Sequence, residues 1–467
     1  MRRQLLLSSL LLLPACSSAP LWKSPKTAVP EKYKEENNNS SQNSSWKKAE
    51  PQDKQSKGEW WRVFGDAKLN ELQQLAMQNN QTLEQAAANW QEARAVAGID
   101  SAAKFPALNL GADASRRSES STNNSPYNLY RLRADLSYEL DLFGKISDRS
   151  RSSALQAEAA EATYHSVMLS IQANVAEAYY TIRQLDEEEN LAQKTVDIRD
   201  KARNLVEKRL SAGYSGELDA SRARGELASA KADLASIKKA RSLQEHALAI
   251  LVGKAPADFT FTPLPLQGKA PIVPAGIPSA LLERRPDIAA AEYELMAANA
   301  RIGVAKAAFF PSIELTAGGG FSSTSLANLF QWSSKMWNIG SLAGSAINLP
   351  IFDGGRNEAG LQQAKAQLQA ATALYRQQVL VGFREVEDSL SDLHYIREES
   401  VHLHELADNS RRNADLSDKR YQEGLVSYLD VVDSERQRFA AERSVIQSNG
   451  AEFLATIRLI RALGGGW

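Results

Sequence analysis

A mainly α-helical chain that also carries membrane β-strands, built twice over within one polypeptide, is the fold class this sequence predicts. Three observations predict it. First, the chain nearly repeats itself. Phe105 and Pro106, followed by Leu108, Leu110 and Ala112, return as Phe310 and Pro311, followed by Ile313, Leu315 and Ala317, an offset of 310 − 105 = 205. Leu218 and Asp219 return as Leu429 and Asp430, an offset of 429 − 218 = 211, with Arg209 and Gly213 echoed by Arg420 and Gly424. Two long copies describe pseudo-symmetric halves rather than a solenoid. Second, all 16 prolines lie at or before Pro350 and none falls between Pro126 and Pro256. The two proline-free stretches are rich in Ala, Leu, Glu, Gln, Arg and Lys and read as very long helices. Third, Tyr130, Leu132, Ala134, Leu136, Tyr138, Leu140 and Leu142 alternate with Arg131, Arg133, Asp135, Ser137, Glu139 and Asp141. A strand with one apolar and one polar side holds such a period of two; a helix does not.

The elements follow in order. Met1 to Gln4 is cationic, Leu5 to Leu13 apolar, and Leu13, Pro14, Ala15 and Cys16 form a small-residue cleavage site, so residues 1–15 read as a signal peptide. That tetrad resembles a bacterial lipobox, although Pro14 is unusual in it. The resemblance makes Cys16, the only cysteine of the chain, the acylated first residue of the mature protein, carrying palmitate. Ser17 matches the pattern for transfer to the outer membrane. The alternative is an ordinary signal peptide with an incidental cysteine. Residues 16–58 are rich in Ser, Asn, Lys, Pro and Gln; they cannot bury enough apolar surface to fold alone and read as a lipidated tether. Trp60, Trp61 and Phe64 mark where burial begins.

The first repeat, 59–270, opens with a helix from Leu69 to about Lys104, stopped by Pro106. A β-hairpin over 106–142 follows, then a helical hairpin over 146–252. In that hairpin Ile171, Val175, Ala178, Ile182, Leu185, Ala192 and Val196 keep a 4,3 spacing interrupted at Glu189, the mark of a coiled-coil seam. Gly213 supplies the left-handed cap at its turn. The second repeat, 271–467, predicts a helix, a β-hairpin over 311–352 diluted by Gly318, Gly319, Gly320, Gly340 and Gly344, and a helical hairpin over 356–463.

Strands of ten or more residues with one apolar side suit a membrane barrel; a soluble sheet packed on helices is the alternative. Four strands per chain cannot close, and a lipid-exposed edge leaves backbone groups unpaired, so the chain must oligomerise. The smallest known bacterial barrels have about eight strands, which requires at least two copies. Composition excludes other classes. A net charge of −1 gives no basic field for nucleic acid, one cysteine excludes a disulfide framework, and five scattered histidines form no catalytic constellation. No cofactor and no enzyme activity are expected. Five methionines give no cluster for soft metals.

Several spaced motifs then converge. Trp60, Trp61, Phe64, Gly65 and Asp66 stand near the start; Leu140, Asp141, Leu142, Phe143, Gly144 and Lys145 join strand to helix. Arg284, Arg285, Pro286, Asp287 and Ile288 open the second half, and Pro350, Ile351, Phe352, Asp353, Gly354, Gly355 and Arg356 mark the second junction. Ala462, Leu463, Gly464, Gly465, Gly466 and Trp467 close the chain. Over residues 59–467 the sequence resembles the TolC-like outer-membrane efflux channels, in their multidrug efflux lipoprotein branch. The resemblance implies a homotrimer with a 12-stranded outer-membrane β-barrel and a periplasmic α-barrel. It implies lipid anchoring, a periplasmic adaptor (membrane fusion) protein and an inner-membrane pump of the resistance-nodulation-division type as partners. It also places Asp430, Asp433 and Tyr421 at the family's periplasmic gate. Ser427 with Asp430 equally fits a helix capping box, in which the acid merely satisfies a helix start. Val426 departs from the family pattern, where an arginine bridges the closed state. The first-half counterparts of the two acids are Asp219 and Arg222, so only the second hairpin supplies both. The expected function is a passive exit duct of a tripartite efflux system; alternatives are the outer-membrane channel of a protein-secretion system and a structural envelope lipoprotein.

Overall fold

In this computed structural model the chain is described over residues 19–23, 25, 30, 33–34, 58–118, 125–266, 268–273, 284–339 and 347–465. The expected signal peptide, Cys16 and most of the tether lie outside the described residues. A 3-10 turn, Trp60–Phe64, leads into α1 (Ala67–Asn79) and α2 (Gln81–Ala102). The single helix expected from Leu69 to Lys104 is therefore two, and Asn80 makes the break. Its N–H closes α1 on the Ala76 carbonyl at 3.0 Å, while its Oδ1 accepts from Leu83 N at 3.0 Å to cap α2. One residue thus ends one helix through its backbone N–H and starts the next through its side chain, as short amides do at N-caps.

The strands are β1 (Ala107–Arg117), β2 (Tyr127–Leu140), β3 (Ser312–Ser323), β4 (Lys335–Ile339) and β5 (Ile347–Asn348). The sheet order is β1-β2-β3-β4, with β5 also on β3, and every pairing is antiparallel. The register runs from Ala107 opposite Ser137 to Arg117 opposite Tyr127, and from Tyr130 opposite Ser323 to Leu140 opposite Ile313. This places Leu132, Leu136 and Leu140 beside Phe321, Ala317 and Ile313, so one face of the sheet is apolar while Arg131, Arg133 and Asp135 occupy the other. The two short strands β4 and β5 pair with β3 in different registers. Ile339 and Ile347 are eight positions apart (347 − 339), but their partners Ala317 and Ile313 are four apart (317 − 313).

Two helical hairpins complete the chain: α3 (Lys145–Ser211) with α4 (Glu217–Leu251), and α6 (Arg356–Gln422) with α7 (Tyr428–Ala462); α5 (Pro286–Ala307) precedes β3. Both hairpins pair a helix of 67 residues with one of 35, which at about 1.5 Å per residue is roughly 100 Å against 50 Å. The repeated Asp-containing junctions start the long helices. Asp141 accepts from Ile146 N at 2.9 Å and Ser147 N at 2.7 Å, and Asp353 accepts from Gly355 N and Asn357 N at 2.9 Å each. Among the described residues no helix is long and apolar enough to cross a membrane.

The chain forms two compact units, and each draws on both repeats. One comprises Met1–Thr27, Ala88–Glu161 and Ala290–Gln377; the other comprises Ala28–Ala87, Ala162–Ala289 and Gln378–Trp467. In the first unit Phe143 stacks on Phe310 with centroids 4.6 Å apart, joining the two strand-to-helix regions. Gly303 lies so close to the buried Asp148 that an added Cβ would sit 2.0 Å from its Oδ2. The second unit holds an extensive apolar core. Trp60, Trp61, Leu69, Leu72, Tyr179 and Tyr180 are buried there with Phe453 and Ile457 of α7. Each such large apolar side chain contributes about 1.5–3 kcal/mol when fully buried.

Two sequence motifs serve this core as polar hubs. Asp66 caps α1 through Oδ1, to Lys68 N at 2.9 Å and Leu69 N at 3.2 Å, while its Oδ2 accepts from Tyr179 OH and Arg183 Nη1, each at 2.6 Å. Burial, and then the bond to Asp66, raise the Tyr179 hydroxyl pKa. Arg285, also buried, donates to Asp287, to Glu385 Oε2 at 2.6 Å and to the Ala462 carbonyl at 3.0 Å. It thereby ties the start of the second repeat to the end of α7.

Candidate functional site

The tips of the two helical hairpins carry the residues singled out in the sequence. Their backbones are the same. Gly213 and Gly424 sit at φ 78° and 77°, in the left-handed region that L residues with a Cβ rarely adopt. Tyr214 N donates to Arg209 O and Leu425 N to Arg420 O, both at 2.8 Å; Gly213 N donates to Leu210 O and Gly424 N to Tyr421 O, both at 3.0 Å. Each tip is a Schellman turn that satisfies the last helical carbonyls.

The side chains that follow differ. At the first tip Gly216 is the N-cap of α4 and offers no side-chain bond. At the second, Ser427 caps α7 in a complete capping box. Asp430 Oδ2 accepts from Ser427 N at 2.9 Å and Ser427 Oγ at 2.7 Å, and Asp430 N donates to Ser427 Oγ at 3.4 Å. These bonds from Ser427 hold the Asp430 carboxyl below its ordinary pKa. Asp430 therefore faces solvent but is committed to its own helix. Asp433, one turn on, is more than half exposed, and its nearest cation is Arg436 at 3.9 Å. Its counterpart Arg222 stands 3.8 Å from Asp219.

Tyr421 lies between the hairpins. The Arg209 guanidinium carbon is 4.9 Å from its ring centroid, a cation–π contact, and the Tyr428 ring is 5.5 Å away. Beneath it Val206, Ala220 and Ala223 of the first hairpin bury against Tyr428, Val431 and Val432. The structure brings Tyr421 and Tyr428 together across the second tip and onto the first, while the two acids point outward.

Sequence reading missed the ionic contacts just behind the tips. Glu226 of α4, 7% exposed, accepts from Arg199 of α3 and from both Nε (3.2 Å) and Nη2 of Arg436. Glu188 of α3, 2% exposed, accepts from Arg443 Nε at 2.8 Å and Gln447 Nε2 at 3.4 Å. The partners are 210 and 255 positions apart (436 − 226; 443 − 188); the only hint was the seam's interruption at Glu189, beside Glu188. Nearby, a groove of about 720 Å³ between α3, α6 and α7 is lined by His404, Arg411, Glu435, Arg438 and Phe439 among others. Burial raises the Glu435 carboxyl pKa there, opposed by Arg438 at 3.5 Å. His404 Nδ1 lies 2.7 Å from the Ser400 carbonyl, and no cluster of acids, histidines or cysteines suited to a metal occurs among the described residues.

Comparison with known proteins gives the same two-part pattern. The family model described as outer membrane efflux protein matches residues 72–254 and 277–465. The matches begin 205 residues apart (277 − 72) and end 211 apart (465 − 254), the offsets of the internal repeat. The chain is 33% identical to outer membrane protein OprJ of Pseudomonas aeruginosa, over 98% of this chain and 94% of that protein. It is also 33% identical to the cation efflux system protein CusC of Escherichia coli K12, over 98% of this chain and 97% of that one. The crystal structure of the Campylobacter jejuni CmeC outer membrane channel superposes with a TM-score of 0.88 at 26% identity, covering 97% of this chain and 95% of that one. A family match across both repeats, and relatives alike over nearly their whole length, place this chain in the outer membrane efflux protein family, the TolC-like channels that its spaced motifs resemble.

Proposed function

We propose that this protein is the outer-membrane exit duct of a tripartite efflux system, a passive homotrimeric channel that opens at its periplasmic end when an adaptor and an inner-membrane pump dock. One observation carries the reading: a sheet of four strand positions, open at both edges among the described residues, is joined to two long helical hairpins. Three copies would close twelve strands edge to edge, leaving no backbone unpaired in lipid. Leu108 and Leu110 of β1 are 71% and 76% exposed in the single chain, as a lipid-facing row requires. The α6 helix also leaves apolar groups uncovered at whole multiples of a heptad, Tyr395 with Leu416 and Leu380 with Val401, a stripe that a neighbouring copy's helix would bury.

In this reading Cys16 anchors the mature chain to the outer membrane through palmitate, the first repeat spans 59–270 and the second 271–467. Asp430, Asp433 and Tyr421 form the gate. Three copies of Asp433 around an axis make a ring of carboxylates that concentrates cations, and Tyr421 holds the second hairpin against Arg209. The pump, expected to be of the resistance-nodulation-division type, supplies the energy and selects the cargo; the duct is not an enzyme. Purified trimer in planar bilayers tests this. Replacing Asp433 with Ala together with Tyr421→Ala, which removes the ring that Arg209 covers, is expected to raise conductance above a mostly closed native protein. Unchanged conductance would remove these residues from the gate, and absence of any pore after gate opening would favour a purely structural envelope lipoprotein.

A further inference from the structure

The two strand hairpins end in turns of opposite chemistry. Both turns lie at the end of the sheet away from the helices, since α2, α3 and α5 join the strands near Ala107, Leu140 and Ser312. The turn between β1 and β2, Ser118 to Pro126, is made of Ser, Glu, Thr, Asn and Pro beside Arg116 and Arg117. The turn between β3 and β4 carries Leu326, Leu329, Phe330 and Trp332, and from Phe321 to Ile339 the one charged residue is Lys335.

This second turn has a fold of its own. Two 3-10 turns, Leu326–Asn328 and Trp332–Ser334, are locked together at Asn328. Its carbonyl accepts from Ser334 Oγ at 2.7 Å and its Oδ1 accepts from Gln331 Nε2 at 3.0 Å. Leu329 is buried, whereas Leu326 is exposed and Phe330 and Trp332 remain 69% and 81% exposed. Register decides which way the rings lean. Directly opposed residues of antiparallel strands share a face, so Phe321, Lys335, Trp337 and Ile339 lie on the face that carries Leu108, Leu110 and Leu132. The Phe330 ring meets Phe321 edge-on with centroids 5.6 Å apart, and Lys335 Nζ lies 3.1 Å from the centroid of the Trp332 ring. Both aromatic residues of the turn are thus tied to side chains of the apolar face. A turn that capped a pore would lean toward Met336 and Asn338 on the other.

An exposed aromatic surface continuous with a lipid-facing row marks contact with a bilayer, and indole rings favour the headgroup layer. Lys335 stands at the same end, with no acid in the turn to neutralise it. Anionic headgroups attract such a cation, and its apolar stem can lie along the rings. We propose that the turn between β3 and β4 is a lipid anchor in the outer leaflet. Leu326, Phe330 and Trp332 enter the headgroup layer, and Lys335 with Trp332 holds an anionic, phosphate-bearing headgroup, one site in each protomer. The turn of the first hairpin, without large apolar side chains, stays in water. The anchor rests on the barrel reading above, which brings lipid to this face.

The test uses full-length trimer in bilayers, with nitroxide labels on introduced cysteines and the native chain as background for Cys16. Accessibility to oxygen against a water-soluble nickel chelate reports depth. Leu110→Cys should lie within lipid and Leu326→Cys at headgroup depth. A Leu326→Cys label open to the chelate overturns the anchor; one shielded from both reagents puts a neighbouring copy there and overturns it too. A Leu110→Cys label in water removes the barrel reading and the anchor with it. Headgroup preference is read by native mass spectrometry of the trimer, with lipid A and phosphatidylcholine as probes. Lys335→Gln should weaken lipid A binding about fivefold, the worth of one cation at an anionic surface. Lys335→Arg should retain it, and phosphatidylcholine should bind all three proteins alike. Lys335 is exposed, so melting temperatures should agree among them, which separates loss of lipid from loss of fold. Equal lipid A binding by the native and Lys335→Gln trimers overturns the headgroup site.

Discussion

The two hairpin tips share one backbone and part company in their side chains. Gly213 and Gly424 adopt the same left-handed conformation, and the turn hydrogen bonds match to a tenth of an ångström. Three positions later Gly216 faces Ser427, then Asp219 faces Asp430, and Arg222 faces Asp433. The second tip acquires a capping box that the first lacks, and an exposed acid where the first carries a base. The backbone of a turn is set by a few obligatory hydrogen bonds and one glycine, so both copies retain it. The solvent-facing groups satisfy no such demand and are free to diverge toward a task.

Three experiments sharpen or break this comparison. The largest effect is the one expected to be shared: Gly213→Ala and Gly424→Ala should each cost roughly 1–2 kcal/mol, since both force a Cβ into left-handed backbone. Thermal unfolding measures both, and unequal costs would show that the turns are not equivalent. Next comes the cap. Ser427→Ala should remove about 1 kcal/mol, whereas Gly216→Ser should add a few tenths at the tip that lacks a cap; a neutral Ser427→Ala would mean that the capping box does not hold α7.

The smallest effect is acid-dependent. Asp430 has its pKa lowered by Ser427, so its contribution is present above the ordinary carboxylate range and is lost as pH falls through the lowered value. The Ser427 amide should report that low titration in an NMR pH series, while Gly216, with no side chain at the cap, should not. A Ser427 amide that follows an ordinary carboxylate would refute the assignment.

Much of this was legible in the sequence. The proline-free stretches became the long helices, the period of two at 130–140 became β2, and Gly213 and Gly424 became the turns, because each is a local signal with one conformational meaning. The alternative readings of Asp430 were also visible, since Ser427 and Asp430 are three residues apart and a capping box is a local motif. The break at Asn80 was not legible: asparagine is tolerated inside helices, and only its bonds to Leu83 and to the Leu251 carbonyl fix it as a cap. Nor were Glu188 and Glu226 distinguishable from solvated glutamates. Their burial depends on arginines more than 200 residues away, brought near only by the packing of α7 on the first hairpin.

The few described residues of the N-terminal segment bear on the order of events during synthesis. The Pro20 carbonyl accepts from Asn299, and Lys34 N donates to Glu387, bonds that span 279 and 353 positions. At about 5–20 residues per second, roughly 20–70 s pass between the emergence of Lys34 and that of its acceptor. Through that interval Lys34 has no Glu387 to donate to, so this contact closes only late in synthesis. The last quarter of the polypeptide, arriving late, supplies that acceptor.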